Sequence, residues 1–166
     1  MKRKLIAILG GVLTVMAMAV PQQAMALGKG EKSVGVSGGY SSYNEGGYIS
    51  ANFQWEFAEH FRLAPDMGVS FENNHRSGFL LNCDMHFPFK IVRGIGLYPL
   101  VGLTYNSWHY THPEADPEYR STVGANFGAG IDIYFTRFLK MNIQGKYSMM
   151  NKCSGAFVGL GFSYVF

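Results

Sequence analysis

The acidic and basic residues that could do chemistry fall mostly at alternate positions of short extended segments. One shared face of these segments would carry Glu56, Arg62, Asp66, Glu72, Asp84, His86, Asp132, Lys140 and Lys146. Such a face could line a catalytic or conducting lumen, or it could fill a narrow interior in which opposite charges neutralise one another. Because an unpaired buried charge is costly, we favour the second interpretation. The expected ion-pair network consists of Glu56, Arg62, Asp66, Asp84, Asp132, Lys140 and Lys146.

A second group of candidate residues lies in the loop predicted over 107–120, which begins at Ser107 and ends at Arg120. Its histidines and acids are His109, His112, Glu114, Asp116 and Glu118. Imidazole and carboxylate groups are suitable metal ligands. They fall here in a proline-containing loop and not on a rigid element. We therefore expect a solvated loop without a metal, and we expect no cofactor.

The aromatic residues of the same loop suggest contact with a partner. The candidate binding surface consists of Trp108, His109, Tyr110, His112 and Tyr119. Exposed aromatic side chains often anchor recognition at protein interfaces. The alternative is that these aromatic residues belong to a girdle at a membrane interface.

The first 26 residues have the three parts of a secretory signal peptide. A basic start at 2–4 precedes an apolar stretch at 5–20, and a cleavage site of the A-x-A kind ends at Ala26. Cleavage would leave 27–166 as one domain. It would remove three of the 14 basic residues and none of the 11 acidic ones, so the mature chain would carry no net charge. Nucleic acid is therefore not an expected partner.

Alternation of apolar and polar residues predicts the architecture. The last segment places Ala156, Val158, Leu160, Phe162, Tyr164 and Phe166 on one face. With the other alternating segments, the predicted strands cover 33–43, 48–57, 61–72, 78–87, 96–106, 121–134, 138–149 and 155–166. The phase of 96–106 is the least clear, and Pro65 would require a bulge. Strands of about ten residues cross an outer membrane, so we predict an all-β, eight-stranded antiparallel up-and-down transmembrane barrel.

Two short turns predict which acids face which bases. A three-residue turn over 58–60 would set Glu56 opposite Arg62. A three-residue turn over 135–137 would set Asp132 opposite Lys140. Directly opposed residues of antiparallel strands have Cβ atoms about 5 Å apart, which is within reach of an ion pair.

The apolar face could point toward lipid, or toward a bound ligand as in a lipocalin. The polar face carries charges of both signs beside many glycines, which suits a narrow, filled interior. Aromatic residues also cluster near the strand ends, as membrane girdles require: Phe57, Phe61, Phe87, Phe135 and Phe166. We therefore predict a lipid-facing surface. Cys83 and Cys153 would lie on opposite walls, too far apart for a disulfide.

Three features carry a resemblance to a known class. They are the signal peptide, the F-S-Y-V-F ending and the N-F-G-A-G-I-D-I-Y-F stretch over 126–135. The chain resembles the small porin-like outer-membrane barrels of the OmpA, OmpX and opacity-protein type. The resemblance implies a Gram-negative outer membrane, contact with its lipid and lipopolysaccharide, and insertion by periplasmic chaperones and the barrel-assembly machinery. It also implies that Phe162, Tyr164 and Phe166 form the assembly signal, and we expect a monomer.

The resemblance leaves several functions open. Our first hypothesis is a non-enzymatic envelope component that presents the loop over 107–120 for adhesion or partner binding. One alternative is a lipid A-modifying enzyme, since the class includes a deacylase with a catalytic histidine and serine two residues apart. His75-Arg76-Ser77 lies at a predicted loop tip, and no acid is clearly placed to orient His75. Another alternative is a narrow channel or a small-molecule transporter, although an eight-stranded barrel has little room beyond its own side chains.

Overall fold

The computed structural model describes residues 30–111 and 118–166, with 118 and 119 described by their backbone alone. The predicted signal peptide, the predicted first mature residue Leu27, and His112, Glu114 and Asp116 lie outside these residues. Within the described residues nine strands follow one another: β1 Lys32–Ser41, β2 Gly46–Ala58, β3 Phe61–Asn73, β4 Arg76–His86, β5 Phe89–Val92, β6 Ile95–Tyr110, β7 Glu118–Tyr134, β8 Leu139–Met150 and β9 Gly155–Val165.

The strands form one closed antiparallel barrel. Each long strand pairs with the next along the chain, β4 pairs with β6, and β9 returns to pair with β1. The wall therefore has the eight strands that the sequence predicts. The short β5, which we did not predict, continues the hairpin between β4 and β6 by pairing with the start of β6. No helix in the described residues is long and apolar enough to cross a membrane.

Alternation sorts the side chains into an apolar outer surface and a polar interior. On β9, Phe162 and Tyr164 are 46% and 55% exposed, and Phe166, just after the strand, is 61% exposed, whereas the intervening Ser163 is 2% exposed. β6 follows the same rule, with Leu103 outside and Thr104 inside. A surface of exposed Val, Leu, Phe and Tyr around a polar interior is the pattern of a membrane-spanning barrel. The lipid-facing orientation of the apolar face is confirmed.

Between Gly35 and Gly39 of β1, and along the facing part of β9, the inner wall consists of very small residues. Gly39 lies directly opposite Gly159, and Gly35 lies opposite Ser163. A Cβ atom on Gly39 would fall 2.0 Å from the carbonyl oxygen of Val158. The two strands therefore approach each other as closely as they do because their inward side chains are absent or short.

The two ends of the barrel differ in their connections. One end, which we call the terminus end, carries the first described residue Gly30, the last residue Phe166 and the short turns, including Glu59-His60. The other end, which we call the loop end, carries the turns at 42–45, at Asn74-His75 and at 151–154, and the connection over 111–117. In outer-membrane barrels the short turns face the periplasm and the longer loops face outward.

The loop predicted over 107–120 is shorter than expected. β6 and β7 pair as far as Tyr110 and Glu118, and Trp108 lies opposite Arg120. Residues 107–110 and 118–120 are therefore strand and not loop. The sequence misled us here because the polar residues and prolines of this segment look like a loop, while ladder hydrogen bonds extend the strands into it.

The register of the first short turn differs from the prediction by one residue. Ala58 pairs with Phe61, which leaves a turn of two residues, and the register shifts between Trp55 and Ala58. Glu56 and Arg62 nevertheless share the inner face, and Asn52 lies opposite Asp66. The bulge expected at Pro65 is absent, since β3 keeps one register with β4 on both sides of that residue.

The register of the second short turn was predicted wrongly. Tyr134 lies opposite Lys140 and Asp132 lies opposite Asn142. The turn spans 135–138 because the Thr136 hydroxyl accepts hydrogen bonds from the backbone nitrogens of Phe138 (3.2 Å) and Leu139 (3.1 Å). A longer turn moves every pair of this hairpin, so Asp132 and Lys140 are not cross-strand partners.

Candidate functional site

The interior of the barrel near the terminus end is closed by a first layer of charges. Arg62 on β3 donates to an Asp132 carboxylate oxygen at 2.6 Å and lies 3.5 Å from a Glu56 oxygen. The Arg62 side chain is 1% exposed, and its guanidinium lies 5.5 Å from the centre of the Tyr98 ring. The His86 ring stacks on the Tyr98 ring, with centroids 4.5 Å apart. These groups fill the lumen at this level.

Glu31 belongs to the same layer, and the sequence analysis missed it. Its carboxylate accepts hydrogen bonds from Lys140 at 3.1 Å and from the Tyr134 hydroxyl at 2.7 Å. Glu31 comes just before β1, outside any alternating segment, so its face could not be assigned from the pattern. The structure thus gives Lys140 a partner other than the predicted Asp132.

A second layer of charges lies in the middle of the lumen. The Lys146 ammonium is 2.9 Å from an Asp84 oxygen and 3.1 Å from an Asp66 oxygen. The other oxygens of these carboxylates accept hydrogen bonds from amides: Asn126 donates to Asp84 and Asn82 donates to Asp66, both at 2.8 Å. All seven residues of the predicted ion-pair network therefore make ion pairs inside the barrel. Glu72, which we also assigned to the polar face, is exposed near the end of β3, where the register shifts.

An apolar cluster closes the lumen near the loop end, and we call it the cap. It consists of Leu80, Trp108, Met150, Cys153 and Phe157, with Tyr43, Tyr48 and Tyr110 packed against it. Trp108 is fully buried. Our prediction that Trp108 is exposed, on a loop or in a membrane girdle, was wrong because the longer β6 turns this residue inward.

A chain of hydroxyl and thiol groups joins the cap to the rim above it. The Tyr43 and Tyr110 hydroxyl oxygens are 2.5 Å apart, and the Cys153 sulfur lies 3.7 Å from the Tyr110 hydroxyl. Burial, followed by the neighbouring Cys153 thiol and Tyr110 hydroxyl, raises the pKa of Tyr43 far above its ordinary value. Both cysteines are free, with Cys83 on the outer surface.

The rim of the loop end carries arginines that lie over tyrosine rings. The Arg76 guanidinium is 5.1 Å from the Tyr43 ring and donates to the Tyr43 carbonyl oxygen at 3.0 Å. Arg120 lies 5.9 Å from the Tyr110 ring. Cation–π contacts of this kind fix long side chains in place. Among the other predicted loop residues, His109 is half-exposed on β6, whereas the side chains of His112 and Tyr119 lie outside the described residues.

A histidine and a serine lie opposite each other on the outer surface close to the loop end. Ser77 on β4 lies directly opposite His109 on β6. Ser77 is two residues from the exposed Phe79, so it shares the lipid-facing side of β4. His75 belongs to the adjacent turn and is exposed. The sequence analysis considered His75 with Ser77 but could not detect His109, because the pairing joins two strands that are distant in sequence.

Metal ligation finds no support in the part of the chain that the structure describes. Across 30–111 and 118–166, no three His, Cys, Asp or Glu side chains converge in a way that could hold a metal ion. Of the predicted loop histidines, His112 lies outside these residues.

Comparison with known proteins identifies the class through the fold. No protein-family model matches the sequence, and no curated protein matches it. Among solved structures, the N-terminal β-barrel domain of Pseudomonas aeruginosa OprF is similar, with a TM-score of 0.67 and 20% identity over 84% of this chain and 100% of that one. Ail, the attachment invasion locus protein of Yersinia pestis, has a TM-score of 0.65 and 18% identity over 84% and 100%. Neisserial surface protein A has a TM-score of 0.66 and 10% identity over 82% and 96%.

The fold is that of the small eight-stranded bacterial outer-membrane β-barrels, as the sequence predicts. The apolar belt around the barrel and its polar, ion-paired interior are what such a location requires. The protein is an integral outer-membrane β-barrel.

Proposed function

We propose that this barrel is a non-enzymatic surface protein that presents the β6–β7 connection over 111–117 to an extracellular partner. The observation that carries the proposal is the unequal length of the connections at the loop end. The turn between β3 and β4 contains only Asn74 and His75, and the turns at 42–45 and 151–154 are four residues each. The β6–β7 connection is the longest of them, and a paired hairpin supports it.

The filled lumen supports the same proposal. Two layers of ion pairs and the cap occupy the interior from the terminus end to the loop end. Conduction needs a continuous aqueous path, and an eight-stranded barrel is just wide enough for its own side chains. A role at the surface therefore fits the geometry better than transport does.

The charge of the rim indicates what kind of partner would bind. A solved complex of Ail contains the heparin analogue sucrose octasulfate, which is a polyanion. In this chain the bases of the loop end are Arg76, Arg120 and Lys152, and they are outnumbered by the acids Glu45, Glu72, Glu114, Asp116 and Glu118. We therefore expect a neutral or basic protein surface as the partner and not a sulfated glycan.

Adherence assays test this proposal. Bacteria that express the protein, or a variant with 111–117 replaced by a Gly-Ser segment of equal length, are compared for binding to cultured epithelial cells. We expect the replacement to reduce binding, whereas Lys152→Gln, in an exposed turn of the same rim, should leave it unchanged. Equal binding by the wild type and the replaced variant at equal surface levels would contradict the proposal.

A lipid A-modifying activity is the second candidate, and the opposition of Ser77 and His109 is the observation that favours it. A serine beside a histidine on the lipid-facing surface could act as nucleophile and base toward an acyl ester of the outer leaflet. Mass spectrometry of lipid A from cells with and without the gene tests this activity. If the gene causes a loss of acyl chains and Ser77→Ala abolishes that loss, the enzymatic function would replace our first proposal. If lipid A is the same with and without the gene, the second candidate is excluded.

Assembly is proposed to follow the route of other barrels, through periplasmic chaperones and the barrel-assembly machinery, with lipid and lipopolysaccharide around a monomer. The exposed aromatic face of Phe162, Tyr164 and Phe166 is the proposed signal. Phe166→Ser should leave unfolded, protease-sensitive chain in the periplasm. The measurement is heat-modifiable mobility on cold SDS gels, and normal mobility of the variant would refute the proposed role of Phe166.

A further inference from the structure

The exposed charges at the terminus end are mostly positive. Within the described residues the exposed bases of this rim are Lys32, Lys90, Arg93 and Arg137. The exposed acids are Glu59 and the terminal carboxylate of Phe166, because the other acids of this end are ion-paired with Arg62 or Lys140. The terminus end therefore carries an excess of positive charge, whereas acids outnumber bases at the loop end.

Three of these bases lie on two neighbouring connections. Lys90 is part of β5, Arg93 follows it in the turn to β6, and Arg137 lies in the turn between β7 and β8. The two connections touch, since the Tyr134 backbone nitrogen donates to the Gly94 carbonyl oxygen at 2.8 Å. Neither 87–94 nor 135–138 contains an acid. We call these two connections together the basic arc.

Apolar side chains lie between the bases of the basic arc. Four of them are between 49% and 60% exposed: Phe89, Ile91, Val92 and Phe138. Phe89 lies opposite Leu97, which is exposed on the outer face of β6. The Phe138 ring stacks on that of Tyr164, an outward residue of β9, with centroids 6.0 Å apart. The apolar part of the basic arc thus continues the lipid-facing surface of the barrel.

Aromatic contacts indicate the depth of the basic arc in the membrane. The Phe61 ring contacts the rings of Phe57 and Phe87, with centroids 6.3 Å and 5.6 Å away. The His60 ring stacks on Phe89 at 5.7 Å. Aromatic rings gather where the hydrocarbon of a membrane meets its headgroups. The basic arc begins at this level, on the side that faces the periplasm in outer-membrane barrels.

We propose that the basic arc binds anionic phospholipid of the periplasmic leaflet. Arg93 and Arg137, both in turns, contact the phosphate groups. Lys90 lies on the side of β5 away from Phe89 and adds to the positive charge. The exposed apolar side chains of the basic arc lie against the acyl chains. Basic residues beside a membrane attract anionic lipids, whereas a zwitterionic headgroup has no net charge to attract.

The apolar side chains distinguish a lipid from other anions. Free phosphate or an anionic glycan would satisfy the bases but would leave the apolar part of the basic arc in water. A contiguous apolar surface bordered by charged residues marks an interaction site. A lipid has both an anionic headgroup and acyl chains, so it matches both parts of the surface.

Native mass spectrometry tests the lipid preference. The barrel is released from detergent that contains equal amounts of phosphatidylglycerol and phosphatidylethanolamine. We expect phosphatidylglycerol to bind preferentially and Arg137→Gln to lower the preference about five-fold, the usual contribution of one base near an anionic surface. The triple variant Lys90→Gln, Arg93→Gln and Arg137→Gln should have no preference, and Lys152→Gln at the loop end should retain it. Equal binding of the two lipids to the wild type, or a preference that persists in the triple variant, would overturn the proposal.

Unfolding in detergent separates the lipid from free phosphate. The unfolding midpoint is measured with added short-chain phosphatidylglycerol, with short-chain phosphatidylcholine and with glycerol phosphate, which has no acyl chains. We expect phosphatidylglycerol to raise the midpoint most, because a ligand of the folded state stabilises it. The triple variant should lose this advantage, and if it does not fold, Arg137→Gln replaces it and should reduce the advantage. An equal effect of glycerol phosphate would mean that the rim binds free phosphate, and an equal effect of phosphatidylcholine would mean that charge plays no part. Either result would overturn the proposal.

Discussion

The two ends of the lumen are closed by different kinds of interaction. At the terminus end Arg62 is held between two carboxylates, and Lys140 is held by Glu31. At the loop end Trp108 and its apolar neighbours pack together without any charge. Removing one partner of a buried ion pair costs much stability because the other charge is left buried and unpaired. Removing an apolar side chain costs stability in proportion to the volume that is left empty. The two ends should therefore respond differently to mutation.

The largest effect is expected at Arg62. Arg62→Ala leaves Glu56 and Asp132 buried without their cation and should destabilise the barrel by about 3–5 kcal/mol. The triple variant Arg62→Gln, Glu56→Gln and Asp132→Asn removes all three charges and should lose less stability than Arg62→Ala. Urea unfolding in lipid vesicles, followed by tryptophan fluorescence, measures both. A triple variant as unstable as Arg62→Ala would show that stranded charge is not the cause.

The cap should be weakened by the loss of Trp108. Trp108→Ala removes the largest buried side chain of the cap and should cost about 3 kcal/mol. The matched control is Trp55→Ala on the outer surface, where Trp55 is 41% exposed and lipid replaces the lost contacts. Thermal unfolding on SDS gels compares the two variants. A larger loss for Trp55→Ala would mean that the cap contributes little to stability.

Glu31 should matter less than Arg62, since its side chain is 10% exposed and lies closer to the mouth of the barrel. Glu31→Gln keeps the shape but removes the charge that faces Lys140, at an expected cost of about 2 kcal/mol. Glu59→Gln, in an exposed turn at the same end, should stay within about 0.5 kcal/mol of the wild type. Urea unfolding in lipid vesicles measures the free energy of unfolding of both variants. Equal free energies of unfolding would show that Glu31 does not contribute to the terminus-end layer.

The smallest effect is expected from the hydroxyl of Tyr110. Tyr110→Phe keeps the ring that packs on the cap and removes the hydrogen bond to Tyr43, at a cost of about 1 kcal/mol. Tyr40→Phe on the exposed surface is the control. If the two substitutions have the same effect on the unfolding midpoint, the short contact between Tyr43 and Tyr110 contributes nothing to stability.

Alternation predicted the number of strands and their inner faces, because the period of two is a property of each strand by itself. The length of the turns was harder to predict from the sequence. The hydroxyl of Thr136 stabilises a longer turn than predicted. Lys140 therefore lies opposite Tyr134 and not opposite Asp132. Ladder pairing likewise extended β6 through Trp108 and buried a residue that looked like part of a loop.

Partners that lie across the barrel could not be derived from hairpin register. Arg62 on β3 meets Asp132 on β7, and these strands are not neighbours in the wall. Such contacts depend on the diameter of the barrel and on the length of the side chains. The sequence could name the residues of the interior, but only the closed barrel assigns each acid to its base.

The glycine and serine wall between β1 and β9 also has a consequence for folding kinetics. This seam joins residues such as Val34 and Tyr164, which lie 130 residues apart in the chain, so its closure carries the largest loop entropy in the barrel. Glycine and serine have few or no side-chain rotamers to order. The two strands can therefore join through backbone hydrogen bonds alone, without waiting for interior side chains to interdigitate. We expect seam closure to be slow to begin, because of the search, and rapid to propagate once the first pair has formed.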